Sequence, residues 1–585
     1  MNNELSLSRE NRLALLVLAV VQSLLLLLLH KAINHQAWPA TDPRWLFALY
    51  TVVIGLPLFL YLAAVDWRDR ANAVAAAALG LLLFWIGWHA GWLVLPYFGG
   101  ETRGGQSIVP ALACGVTIAL FIGAFYFRTQ RETARFDYAQ LLDHSWRNAL
   151  TLGFLGLFLL VFGLLLMLWA ALFEVIEIDF FKALFDEPEF IYPVFGLVGG
   201  WGLGLIRART GLIATVRNLC EVLIRALLPL VAFILVIFLA TLPFTGLENL
   251  WDTGFASALL LWLAAMLLFF FNAVVAENDE LGMNAWLRRL VLLAVVLVPV
   301  NSVIAGWALW LRVDQYGWTL DRLWALFVET FLAAFSIGYA VLIVKHRGLD
   351  IAATRRWNII LGVSLAGALL LVHTPLLDFH RIATNSQVGR LLAGKTSVDD
   401  FDALYLRFDL GQYGVDALKN LRTTERARRD VALAKRIDAA LAADNRWSAE
   451  PADRVDLEKL RARFAALPGT ELDDGFLLML GRKETSVKAC FMGEADCVIG
   501  EVERNGTGYR VQLLDRRYGI TTIAWVLEGE RWVQFGAVRR FGCEDTEHAV
   551  DRNQPLAALD SEFFVFRNGE CLYQLLPDSS RFTRK

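Results

Sequence analysis

The sequence predicts a membrane all-α bundle of about eleven transmembrane helices, followed by a soluble α+β domain of short helices and an antiparallel β meander or barrel. Three observations carry this. The chain has 585 residues, 57% of them hydrophobic and only 19% charged, which is too little charge for a soluble chain of this length. Apolar runs of about 20 residues, enough to cross a hydrocarbon core about 30 Å thick, recur up to Pro375. Beyond Pro375 the charge density rises: residues 1–375 hold 24 Lys/Arg and 25 Asp/Glu, whereas the shorter 376–585 hold 31 and 33.

The predicted spans are 13–29, 45–65, 71–95, 107–127, 149–173, 190–206, 222–242, 256–275, 290–311, 319–344 and 357–374. In lipid the backbone has only itself to bond, so runs of this length are helices. Arg9 and Arg12 precede the first run, which is longer than a signal-peptide core and ends in His30 and Lys31 without a small-residue cleavage site. It reads as a first transmembrane helix. Trp45, Trp67, Trp146, Trp201, Trp251, Trp286, Trp318 and Trp357 mark span ends as interfacial anchors. Gly196, Gly200 and Gly204 recur at intervals of four on one face of the sixth span, a pattern for close helix packing. They lack the G-x-G-x-x-G spacing and the preceding strand of a nucleotide loop.

With the N-terminus inside, seventeen Lys/Arg residues fall on the cytoplasmic side. Six fall on the other: Lys31, Arg44, Arg103, Lys182, Arg312 and Arg322. This positive-inside bias and an odd number of spans direct residues 376–585 to the periplasm. The expected domains are therefore 1–375 transmembrane, 376–470 helical and soluble, and 471–585 β-rich. Leu433, Ile437 and Leu441 form one helical stripe, and Val455, Leu457, Leu460 and Phe464 another. Pro468-Gly469 closes the helical part. Strands follow at 486–492, 496–503, 508–515, 521–529, 531–540, 562–567 and 571–576, with Asn505-Gly506 and Asn568-Gly569 as hairpin turns.

Cys114 and Cys220 lie in or beside spans. Cys490, Cys497, Cys543 and Cys571 all follow the spans, and four cysteines in an exported domain predict two disulfides. Pairs Cys490–Cys497 and Cys543–Cys571 would join nearby strands, although four cysteines allow three pairings. The C-x6-C spacing matches no usual zinc pattern, and no metal or cofactor is expected.

Glu329 is the ionisable residue deepest within a span, and such a residue is either a proton or cation relay or a packing carboxyl. His89, Asn272 and Asn301 are weaker candidates, each near a span end or satisfiable by one hydrogen bond. The outer loops offer Asp179, Asp186, Glu187, Glu248, Asp252, Arg312, Asp314 and Asp321, a possible ligand or cation surface. Against this, positive-inside bias alone leaves outer loops acidic. Residues 174–187 suit a short interfacial amphipathic helix.

No G-x-x-x-x-G-K-[ST], H-E-x-x-H, G-x-S-x-G or C-x-x-C motif occurs, which argues against primary transport and known hydrolase signatures. His548 is the single histidine after residue 380, so a histidine-based site in the soluble domain is poorly supported. The near-neutral balance excludes a nucleic-acid partner. The partners expected are the lipid bilayer and an envelope protein; the oligomeric state is not legible.

Several phrases are distinctive: LFEVIEIDFFKALFDEPEFIYPVFGLVGG from Leu172, LPFTGLENLWDTGFASALLLWL from Leu242, WLRVDQYGWTLDRLWAL from Trp310 and FDALYLRFDLGQYGVDAL from Phe401. On these the chain resembles a bacterial membrane-protein family known as domain of unknown function 4153. The resemblance implies a Gram-negative inner-membrane protein and transfers no active site. Three roles then compete. One is a non-enzymatic envelope protein presenting a periplasmic domain. Another is a transporter or flippase using the bundle. The third is a membrane-embedded transferase acting on a lipid-linked substrate. For the transferase, the first outer loop has only Asp42 where lipid-dependent glycosyltransferases carry an acidic pair.

Overall fold

The computed structural model describes residues 9–64, 69–99, 104–246, 256–275, 282–444, 446, 461, 464–482, 497–504, 507–514, 522–528, 531–541, 551–559, 564–568 and 571–577. The chain forms two compact units, residues 1–442 and 443–585. The composition step at Pro375 therefore falls within the first unit.

Unit one is helical. Its bundle comprises α1 (Arg9–Asn34), α2 (Pro43–Ala63), α3 (Arg70–Val94), α4 (Ile108–Thr133), α5 (Tyr138–Glu174), the short α6 (Phe180–Asp186), α7 (Pro188–Ala208), α8 (Thr210–Thr245), α9 (Ala256–Val275), α10 (Ala285–Tyr316), α11 (Leu320–Lys345) and α12 (Ile351–Leu371). Among the described residues ten helices are long and apolar enough to cross a membrane. The last of the eleven predicted segments is helical as α12 but is not one of those ten. Arg355, Arg356 and Asn358 in its first turns lower its hydropathy.

Two cores hold the bundle. Phe59, Leu62, Leu83, Ile86 and Leu120 join α2, α3 and α4. Leu235, Phe271, Val295 and Tyr339 join α8, α9, α10 and α11. Close approach of α2 and α3 depends on Gly87, where an added Cβ would lie 2.6 Å from the Phe47 carbonyl oxygen. Gly196 and Gly200 pack on α1 at Ser23, Ala19 and Leu16, so the small-residue face serves helix packing. The 174–187 segment ends α5, turns, and resumes as α6. Its Phe181 and Phe185 rings lie against Trp169.

A cap of short helices completes this unit: α13 (Phe379–Leu392), α14 (Ala403–Asp409), α15 (Gly411–Thr423), α16 (Glu425–Arg429) and α17 (Val431–Ala442). Leu433 and Ile437 of the predicted stripe are fully buried in the cap core with Phe401, Leu406 and Leu418. That core is continuous with Leu320, Leu323 and Val372 at the bundle end. Polar ties add to it. Leu320 N donates to Tyr405 Oη at 2.9 Å, Gln387 Nε2 to Trp318 O at 2.8 Å, and Tyr97 Oη to Arg407 O at 2.8 Å. Gly411 has φ +62°, and a Cβ there would come 2.7 Å from the Leu93 carbonyl oxygen. Only glycine suits both the turn and the contact.

Unit two contains a curled eight-stranded sheet in the order β1-β2-β3-β4-β5-β8-β7-β6. The strands are β1 (Phe464–Ala466), β2 (Cys497–Arg504), β3 (Thr507–Leu514), β4 (Thr522–Glu528), β5 (Arg531–Phe541), β6 (Ala557–Ala558), β7 (Val565–Asn568) and β8 (Cys571–Pro577). Two features correct the sequence reading. Phe464 belongs to a strand paired parallel to β2, not to a helical stripe. A helix, α18 (Asp474–Arg482), stands inside the segment read as β-rich. Phe476, Leu477 and Leu480 of α18 bury against Phe464, Ile499 and Trp525 of the sheet, so tertiary packing sustains a helix too short to persist alone. The strand expected at 486–492 and the stripe residues Val455, Leu457 and Leu460 lie outside the described residues.

Candidate functional site

At the cap end of the bundle, α3 and α12 finish while α4 and α11 begin. A cavity of about 140 Å³ lies there, lined by residues of α3, α4 and α11, by Val372 and His373 just beyond α12, and by the cap. Three of the chain's 8 histidines line it, His89, His373 and His380, with Asp321, Asp378 and Asp409.

Asp378 is the centre of this cluster. It precedes α13 and caps it, its Oδ1 accepting from the backbone N of His380 at 2.7 Å. The same Oδ1 accepts from His380 Nδ1 at 3.0 Å. Its Oδ2 accepts from His89 Nε2 of α3. The carboxylate is 1% exposed, and burial opposes its charge. The hydrogen bonds from His380 and His89 outweigh burial and hold its pKa well below the usual carboxylate range. Because an ionised carboxylate only accepts, it fixes the proton of each ring on the nitrogen facing it. His380 Nε2 and His89 Nδ1 are left as acceptors when the rings are neutral. Asp378 therefore orients two imidazoles with one side chain, as a carboxylate does in acid–base dyads.

Aromatic rings wall the cluster. His89 stacks on Trp92 at 5.8 Å and 15°, Tyr413 meets Trp92 edge-on, and Trp324 packs on Phe379. His373 lies beside Trp324. Burial pushes Tyr405, another lining residue, up to about 12. Among the described residues no group of three His, Cys, Asp or Glu side chains is arranged to hold a metal ion.

The sequence candidates distribute differently. Asp321 lines the cavity. Arg312 and Asp314 lie in the last turns of α10. Asp179 and Asp186 flank Lys182, which pairs with Glu174 at 2.5 Å, and Glu187 precedes α7. Glu248 and Asp252 lie outside the described residues. Asp42 caps α2 and pairs with Arg44 at 2.7 Å, a local structural role. Glu329 is 8% exposed and turned toward Ser302 of α10, and its Oε2 has no hydrogen-bond partner among the described residues. Cys571 is 4% exposed in β8. Cys490, Cys543 and the side chain of Cys497 are outside the described residues, and so is the expected pairing.

In the sequence His89 is only a weak candidate, and no motif in it singles out Asp378 or His380. The available signal was local: Asp-x-His at a helix start puts the carboxylate and imidazole in reach of one another. Nothing local joins His89 to them.

No curated protein and no solved structure matches the chain. The family model described as "Domain of unknown function (DUF4153)" matches residues 48–421, which includes the bundle from α2 onward, the cavity and most of the cap. The chain belongs to that family.

Proposed function

We propose that this is a multi-pass protein of the bacterial inner membrane, with its N-terminus in the cytoplasm and its cap and C-terminal unit in the periplasm. On this reading it serves the envelope as a non-enzymatic, membrane-anchored interaction protein. The observation that carries it is the seventeen-to-six distribution of Lys and Arg between the two ends of the apolar helices. The end with six is the end that bears the cap. Alkaline phosphatase fused after Lys585 should be active and green fluorescent protein at the same point dark; the opposite pair of results would refute the orientation.

A second reading, a membrane-embedded transferase acting on a lipid-linked substrate, gains support from one observation. Asp378 aligns His380 and His89 beside a cavity at the headgroup level of the proposed outer leaflet, an arrangement suited to moving a proton. The transport reading rests on Glu329 alone.

A further inference from the structure

Three arginines gather at the turn between α10 and α11. α10 ends at Tyr316, Gly317 reverses the chain with φ +76°, and α11 begins at Leu320. Arg312 precedes Tyr316 by four residues, so the two share a face of α10. The Arg322 guanidinium lies over the Tyr316 ring, 5.3 Å from its centroid, and donates to Gly317 O at 2.6 Å. Arg390 reaches in from the last turn of α13 and donates to Gln315 O at 2.8 Å. A Cβ on Gly317 would lie 2.5 Å from the Arg390 Cδ, so glycine here makes room for the third cation. Folding explains these groups only in part. Arg322 and Arg390 satisfy end carbonyls of α10, as cations at a helix C-terminus do. Each spends one N–H in those bonds, and a guanidinium carries five. Arg312 is exposed and close enough to Arg322 for the two charges to repel, a cost that capping does not require.

Two carboxylates share this stretch. Asp314 is two positions from Arg312, about 200° around α10 and so on its other side. Asp321 lines the cavity and offsets part of the Arg322 charge. Trp307, Trp310 and Tyr316 are exposed along this end of α10, as aromatic side chains are at headgroup depth. We propose that the turn binds the phosphate of a lipid headgroup, with Arg312, Arg322 and Arg390 donating to its oxygens. Planar guanidinium forks match phosphate oxygens two at a time. The charge count favours a monoester or diphosphate: a monoester carries about −1.5 to −2 at pH 7, and balances more of the three cations than the single charge of a diester. The turn also adjoins the cavity, since Arg322 is within electrostatic reach of Tyr405 in its wall. On the transferase reading, the phosphate end of a lipid-linked substrate is thereby held beside Asp378 and His380. The binding itself rests only on the membrane-spanning reading and is indifferent to which side the cap faces.

The test uses the full-length protein in phosphatidylcholine nanodiscs that carry phosphatidic acid, a monoester, or phosphatidylglycerol, a diester, at equal mole fraction. Native mass spectrometry of the released protein should find phosphatidic acid retained about ten-fold over phosphatidylglycerol, the gain expected for one further charge-assisted hydrogen bond. Arg312→Gln should abolish that preference, and Arg347→Gln, at the opposite end of α11, should keep it. Arg322→Lys, which retains the charge without the fork, should bind more weakly than wild type and more tightly than Arg322→Gln. Arg312 is exposed, so its variant reports on binding even if Arg322→Gln fails to fold. Inorganic phosphate in excess should leave the lipid in place. The proposal is overturned if phosphatidic acid is retained no better than phosphatidylglycerol, if Arg312→Gln retains it as wild type does, or if inorganic phosphate displaces it, which would make the turn a site for free anions. Protein that fails to enter the discs would overturn the membrane reading itself, whereas entry without selectivity overturns this site alone.

Discussion

Asp378 accepts a hydrogen bond from His89, 289 positions earlier in the chain, while capping the helix that opens the cap. One buried carboxylate thus ties α3 of the bundle to α13, and the contact is both a structural joint and the centre of the candidate site.

Removing that carboxylate should loosen the cap. Asp378→Ala deletes a helix cap and leaves His89 without its partner, and breaking a buried pair from one side typically costs about 3–5 kcal/mol. Asp378→Asn keeps the cap bond and should cost less. Denaturant unfolding of the detergent-solubilised protein measures the size, and limited proteolysis within 379–442 shows where the loosening occurs. Unchanged stability in Asp378→Ala would refute the joint.

The joint should also weaken in acid. The Asp378 pKa is depressed in the fold, against about 3.9 for an unfolded aspartate. A depressed carboxylate contributes stability above its unfolded pKa and loses it as pH falls through the folded one. Cap protection, followed by hydrogen exchange, should hold above about pH 5 and decline progressively below about pH 4. In Asp378→Asn this decline should be smaller.

The α2–α3 seam should not tolerate a side chain at Gly87. A Cβ there meets backbone, the Phe47 oxygen at 2.6 Å and Ala48 Cα at 2.7 Å, so nothing flexible can give way. Gly87→Val should destabilise by about 2 kcal/mol or more. Gly123→Ala, with nothing within 4 Å of the added Cβ, should be near neutral. Thermal unfolding in detergent compares them; equal midpoints would contradict the packing.

Two disulfides are expected among Cys490, Cys497, Cys543 and Cys571, because the domain that holds them is proposed to be exported. Peptide mapping of unreduced protein should find two linked pairs. Four alkylated thiols would contradict this and would weaken the periplasmic placement as well.

Glu329 is buried among the helices, as expected for a carboxyl within an apolar helix. Glu329→Gln keeps the shape and the hydrogen-bonding atoms and should leave stability within about 1 kcal/mol. Glu329→Lys places an unpaired cation against Ser302 and should prevent accumulation of folded protein. Comparable yields of the two variants, by size-exclusion of the solubilised protein, would show that the site is not enclosed.

Much of the bundle was legible because long apolar helices announce themselves through length and hydropathy: Leu13–Leu29 needs no tertiary information to be read as a helix. The small residues at Gly196 and Gly200 likewise revealed a packing face, since only close backbone approach rewards glycine within a helix. The cap was legible from Leu433 and Ile437, whose spacing is a helical stripe. Elsewhere local pattern failed. Phe464 continues a helical periodicity yet pairs with Cys497 in a three-residue strand, because the partner strand supplies what three residues lack. Phe476 and Leu480 sit at helical spacing, but the strand pattern that follows drew the whole segment into the β reading. The site failed for a different reason. Asp378 and His380 are neighbours, but their significance depends on His89, and a joint spanning 289 positions leaves no periodic trace.

The central claim is that the cap end of the bundle faces the periplasm, and labelling at two exposed positions tests it most directly. Lys395 lies in the cap, and Arg347 at the opposite end, between α11 and α12. In intact cells a membrane-impermeant maleimide, read by peptide mass spectrometry, should modify Lys395→Cys and leave Arg347→Cys unmodified until the cells are permeabilised. Modification of Arg347→Cys with protection of Lys395→Cys would contradict the account.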